Sequence, residues 1–296
     1  MSESAFQSLV APARHRPQLW RLVLGLILAG AIYVGFISAL IACVALLYPD
    51  LEAIARLQSI AQGDSPAAAL ILLASFAGMG LGAMAATRLL HRRPATSLFG
   101  PGRRVLRDFV NAVAVVALVY AVYVVVWARF FESQPAVPLD AWLRLLPLAL
   151  LGVLIQTGAE ELLFRGYLMQ QLAARFRNPL IWMFVPVIAF GAVHYDPGNG
   201  GDNTWFLVGA ATVFGLLAAD LTMVSGSIGA AWGFHFANNS FALLILATQG
   251  TITGLALELT PYHVADAATA RPLIAADIGV MALGWLLVRW RVGRRR

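Results

Sequence analysis

The chain of 296 residues has no lysine, a single cysteine and only 12% charged residues, against 60% hydrophobic ones. Each shortage excludes a class of protein. A lone Cys43 cannot form an internal disulfide, so a disulfide-stapled secreted fold is ruled out. A charged fraction about half that of an ordinary soluble domain leaves too little polar surface to cover a water-soluble globule. The net charge of +6 comes entirely from arginine. Because those arginines fall on separate connections, the charge points to topology and contact with anionic lipid and not to nucleic-acid binding. No repeat of fixed period and no low-complexity linker interrupts the chain, so residues 1–296 read as a single integral membrane domain.

What the sequence does contain is apolar runs. Eight approach or exceed the roughly 17 to 25 residues that a spanning helix needs: Leu22 to Tyr48, Ala67 to Leu90, Phe109 to Trp127, Ala141 to Leu163, Leu180 to Val193, Trp205 to Val224, Ile228 to Thr248 and Leu273 to Trp290. The expected fold is therefore all-α and polytopic, with about eight transmembrane helices around a polar cavity. Arginine concentrates on alternate connections. Arg14, Arg16 and Arg21 precede the first run, and Arg88, Arg92, Arg93, Arg103, Arg104 and Arg107 lie around the second connection. Arg175 and Arg177 follow the fourth run, and Arg289, Arg291 and Arg294 to Arg296 close the chain. The remaining connections carry only Arg56, Arg129, Arg144 and Arg271. The positive-inside rule then puts both termini, residues 1–21 and 291–296, in the cytoplasm, as an even number of spans requires.

Smaller features fill in the frame. Leu51 to Gln62 has the pattern of a short amphipathic helix at the opposite surface. Gly78 and Gly82, one turn apart, suit close helix packing. Leu40 to Cys43 has the look of a lipoprotein cleavage box, but the apolar run continues through Tyr48, which favours a retained helix.

Ionisable groups at membrane depth are costly, so those present carry functional weight. Glu160 and Glu161 stand at the end of the fourth run, with Arg165 one turn on. Glu161 and Arg165 are i,i+4 neighbours in the favourable order. Glu160 points about 100° away, so it is expected to face a cavity while Glu161 pairs with Arg165. His194 closes the fifth run, and His235 with Asn239 lies on one face of the seventh. If a hairpin turns near Arg177 to Pro179, Glu160 and His194 each lie 17 residues from Arg177, at matched depth about 25 Å from the tip. His235 is only about 10 Å into its own helix, which reconciles with that depth if Gly166 to Phe176 projects beyond the membrane. An acid, two imidazoles and an amide make a hydrolase inventory.

The residues Glu160-Glu161-Leu162-Leu163-Phe164-Arg165, Phe190-Gly191-Ala192-Val193-His194 and His235-Phe236-Ala237-Asn238-Asn239 resemble, in order, the three motifs of the CAAX-protease and bacteriocin-processing family. These are intramembrane glutamic endopeptidases, also called the ABI family. The resemblance covers about 141–248, taken as the catalytic core. It implies a helical fold around a cytoplasm-accessible cavity. It also implies that Glu160 activates a water with help from His194, that His235 and Asn239 stabilise the oxyanion, and that Glu161, Arg165 and Phe190 support the site. Eukaryotic relatives trim prenylated C-terminal tails. The lysine-free, alanine-rich composition instead suggests a bacterial chain in the cytoplasmic membrane, with membrane lipid and a peptide or protein substrate as partners.

Two other readings stand beside this one. A zinc metalloprotease would use the same Glu and His residues as ligands, though His-Glu-x-x-His is absent, so no cofactor is the expectation. A non-catalytic immunity or binding protein would keep the cavity without turnover. A proton-relaying transporter is a further class, but no transporter-like repeat is present.

Overall fold

The computed structural model describes residues 5–294, so Arg295 and Arg296 of the predicted C-terminal tail, like residues 1–4 of the N-terminal one, lie outside the described residues. The chain opens with α1 (Ala5–Val10) and a 3-10 turn, then α2 (Leu19–Leu47) and α3 (Asp50–Gln62). α4 (Pro66–Ser75) and α5 (Ala77–His91) run on as one span, followed by α6 (Gly102–Trp127). α7 (Leu139–Glu161) continues through a π-helical turn, Leu162–Leu168, into α8 (Met169–Arg175). After α9 (Pro179–Ala192) and the one-turn α10 (Pro197–Gly200) come α11 (Thr204–Ser225), α12 (Gly229–Ser240) and α13 (Ala267–Gly293). β1 (Gln134–Pro135), β2 (Leu246–Gln249) and β3 (Glu258–His263) form a small sheet in the order β1-β3-β2, with β3 antiparallel to β1 and parallel to β2.

This is an all-α polytopic membrane protein, and the count of spans needs correction. Among the described residues six helices are long and apolar enough to cross a membrane, and α9 is a shorter apolar helix. The predicted seventh span, Ile228 to Thr248, is not one helix: α12 passes at Phe241 into a π turn and then extends as β2. Large apolar side chains such as Ile27, Val34, Leu118, Val122 and Leu283 stay exposed on the outside of the bundle. A surface of that kind belongs in lipid.

Local chemistry sets the boundaries. Pro66 and Pro179 occupy first-turn positions, where no amide hydrogen is needed, and the Asn178 carboxamide caps α9 by accepting from the Leu180 amide at 3.0 Å. α3 ends at Gly63 with φ +62°, a left-handed conformation that favours glycine. Close packing then fixes the frame around the site. A Cβ on Gly82 would lie 2.7 Å from the Ala29 carbonyl oxygen, and one on Gly78 2.7 Å from the Phe36 Cβ, so α2 and α5 meet nearly backbone to backbone. Gly229 and Gly233 do the same for α12, where added Cβ atoms would fall 2.3 Å from the carbonyls of Val105 and Phe109 on α6.

The segment Gly166 to Phe176 does not project freely. Gly166 to Leu172 are buried, covered by α1, the adjoining 3-10 turn and the loop after α5. Arg93 in that loop donates to Gln170 Oε1 at 2.9 Å, and Gln170 Nε2 donates to the Leu98 carbonyl at 2.9 Å. Burial pushes the Arg93 guanidinium down to about 10. The next residue, Phe99, accepts from the Ile228 amide at 3.0 Å, which ties this layer to the start of α12. The hairpin tip thus extends past the α11 to α12 turn, so Glu160 and His235 lie at one level despite their different distances from their helix ends.

Candidate active site

Glu160, at the end of α7, is 6% exposed. Its Oε1 accepts from Gln156 Nε2 at 2.7 Å, and its Oε2, with no hydrogen-bond partner among the described residues, lies 3.6 Å from His235 Nε2. Glu161 is fully buried and holds two groups through Oε1: Arg165 at 2.9 Å and His235 Nδ1 at 2.9 Å. A carboxylate accepts, so His235 Nδ1 carries the hydrogen and Nε2 is left facing Glu160. Glu161 is therefore not only the partner of Arg165; it also orients His235.

Arg165, 2% exposed, donates to Glu161 and to the Gly215 carbonyl at 3.2 Å, and its guanidinium lies 4.5 Å from the centre of the Phe190 ring. Two carboxylates, Glu160 and Glu161, thus stand beside one guanidinium in a dry site. The π-helical turn after Glu161 is the local irregularity at this point, and such turns recur at functional sites.

Asn239 joins the cluster through Gln156: its Nδ2 donates to Gln156 Oε1 at 2.9 Å, and its Oδ1 accepts from Asn238 at 3.2 Å. Gln156 therefore links Asn239 to Glu160. Sequence reasoning passed over it, although it sits four residues before Glu160 on the same helical face in an apolar run.

His194 makes no hydrogen bond to this cluster among the described residues. It is exposed just beyond α9, its Nδ1 donates to the Phe190 carbonyl at 2.7 Å, and its ring packs 4.7 Å from that of Phe190. No hydrogen bond among the described residues joins it to Glu160. Phe190 packs near both histidines, with its ring 6.0 Å from that of His235.

His194 lines a cavity of about 810 Å³ with Asp64, Asp196, Asn199, Thr253 and His263. All belong to connections at the arginine-poor ends of the helices. Cytoplasmic termini and a cytoplasm-accessible His194 cavity therefore exclude one another. Among the described residues no group of three or more His, Cys, Asp or Glu side chains is gathered to hold a metal ion.

Residues 141–241 match the family described as type II CAAX prenyl endopeptidase Rce1-like. The uncharacterized protein YyaK of Bacillus subtilis (strain 168) is 29% identical over 178 residues, 58% of this chain and 59% of that protein. The chain thus spans about 59% of the length of the curated relative it matches. No solved structure matches.

Proposed function

We propose that the chain, whose residues 141–241 match the Rce1-like family, is an intramembrane endopeptidase in which the Glu160 carboxylate activates water. The observation that carries this reading is the convergence of Glu160 Oε2, free of any hydrogen bond among the described residues, with His235 Nε2 at 3.6 Å in a buried site. Glu160 takes a proton from the water as its oxygen bonds to the peptide carbonyl carbon. The oxyanion accepts from His235, protonated at Nε2 and held through Nδ1 by Glu161, and from the second amide hydrogen of Asn239. Glu160 then returns its proton to the amide nitrogen, the C–N bond breaks, and a carboxylic acid and an amine leave, passing one proton between them to become carboxylate and ammonium. Gln156 positions Glu160 and Asn239 together, and Arg165 fixes Glu161.

His194, with Nδ1 on a carbonyl and Nε2 free, contacts the substrate segment at the cavity mouth. With the arginine-rich face in the cytoplasm, the termini inside and the protein in a bacterial inner membrane, that mouth opens outward, so the substrate is a peptide segment offered from the non-cytoplasmic side. Comparing membrane peptide profiles from cells with wild-type protein and with Glu160→Gln tests the activity. A product set present only with wild type supports it, and identical profiles refute it. Labelling Asn199→Cys in a Cys43→Ser background with a membrane-impermeant maleimide tests the face. Reaction in intact cells supports the outward mouth, and reaction only after lysis refutes it.

A further inference from the structure

A second cavity, of about 320 Å³, lies under the small sheet, between the C-terminal part of α6 and the first turns of α13, and shares Leu207, Leu243, Thr251 and Val264 with the His194 cavity. Its walls include the rings of Tyr120, Tyr123, Trp127, Phe241 and Tyr262, and Asp277 is the acid among its lining residues. The rings are mutually braced: Tyr120 stacks on Phe241 at 4.5 Å and meets Tyr123 at 6.1 Å, while Phe131 bridges Trp127 at 5.3 Å and Tyr262 at 6.1 Å.

Asp277 has no ion-pair partner among the described residues. Its contact is with the Tyr120 hydroxyl at 3.2 Å, and that hydroxyl also bonds Asn238 Oδ1. A phenol has one hydrogen, so it satisfies one of these two acceptors at a time. An under-satisfied carboxylate walled by π faces, at depth in a membrane protein, is complementary to a cation that sheds its water easily. A hard metal ion favours several carboxylate and carbonyl oxygens, whereas Asp277 is the one carboxylate in this largely aromatic lining.

We infer that this cavity is a binding site for an organic ammonium ion, a protonated amine or a quaternary ammonium. The volume holds a small alkylammonium group, with the charge against Asp277 and the alkyl surface against the rings. The same Tyr120 hydroxyl heads a run of donors leading through Asn238, Asn239 and Gln156 to Glu160. A cation that satisfies Asp277 therefore leaves the Tyr120 hydrogen to Asn238, which couples the cavity to the candidate active site.

The test uses the full chain in nanodiscs of phosphatidylglycerol alone, titrated with tetramethylammonium and with butylammonium and followed by tryptophan fluorescence. The neutral isostere 3,3-dimethylbutanol serves as control. The expected result is a saturable change with either cation, at least tenfold weaker in Asp277→Asn and in Tyr262→Leu, and absent with the alcohol. Thermal melts of both variants confirm that they fold. If one does not, the other carries the comparison.

Adding phosphatidylethanolamine to the nanodiscs separates the sources. Loss of cation affinity assigns the site to a lipid headgroup, and unchanged affinity assigns it to a free amine; either supports the site. No saturable signal, equal binding of the alcohol, or undiminished binding in the folded variants overturns it. The readout is binding alone, so it is independent of whether the chain cleaves peptides.

Discussion

The two adjacent acids differ in what they hold, and that difference predicts opposite outcomes for the same chemical change. Glu161 is fully buried and accepts from Arg165 and from His235 at 2.9 Å each. Glu161→Gln keeps the shape but takes the paired carboxylate from a guanidinium that is 2% exposed, leaving it neutral acceptors and the Phe190 ring. Removing one partner of a buried pair costs about 3–5 kcal/mol. By the scaling of soluble domains this lowers the melting temperature by on the order of 10 °C. Glu160 accepts one neutral hydrogen bond, from Gln156, and has no guanidinium partner. Glu160→Gln removes an excess negative charge from a dry site and should leave the melting temperature within a few degrees or raise it. Intrinsic fluorescence melts on the purified variants in one detergent make the comparison, with eight tryptophans as reporters. A Glu160→Gln variant destabilised as much as Glu161→Gln, or more, would refute this division of roles.

Other expectations concern turnover and helix ends. Asn239→Ala removes an oxyanion donor and should lower kcat by about 10²–10³-fold with little change in melting temperature. Gln156→Leu should lower kcat more than it raises KM, because Gln156 positions Glu160 and Asn239 without touching substrate; the ratio of the two effects in a peptide assay decides this. His194→Ala should act chiefly on KM, and a kcat loss as deep as that of Glu160→Gln would contradict its place at the mouth. Asp266 caps α13 by accepting from the Ala268 and Thr269 amides, and contact with Thr269 holds its carboxyl below the usual 3.8. A depressed folded value means the cap is present above about pH 4 and lost as pH falls further. Amide exchange at Ala268 and Thr269 should quicken below that point in wild type and at neutral pH in Asp266→Ala.

Much of the frame could be read from the chain because lipid imposes one simple pattern, long apolar runs punctuated by Pro, Gly and Arg. The seventh run misled for a physical reason. Phe241 to Thr248 is apolar and aliphatic whether it coils or extends, and the choice falls to a distant partner, Glu258–His263, which pairs with β2. In the site, the Glu161 and Arg165 pair follows from helical spacing, and Gln156 was within reach of the same arithmetic. The bond from Glu161 to His235 was not. It depends on the level at which α12 starts beside α7, which the loop at Leu98 and Phe99 sets through Gln170 and Ile228. Matched counting from a hairpin tip put Glu160 and His194 at equal depth but could not show that His194 packs on the Phe190 ring and bonds the Phe190 carbonyl. That Asp277 lines an aromatic cavity depends on how α6, α13 and the small sheet meet, which no local pattern around Asp277 displays.

The role of Glu160 as base is tested most directly with purified protein in lipid vesicles, treated with a strong chelator and incubated with a peptide pool, wild type beside Glu160→Gln. The account predicts cleavage by the chelated wild type and a loss of at least 10³-fold in the variant, with matching melts. Comparable cleavage by Glu160→Gln, or wild-type activity that disappears with the chelator and returns with zinc, would contradict it.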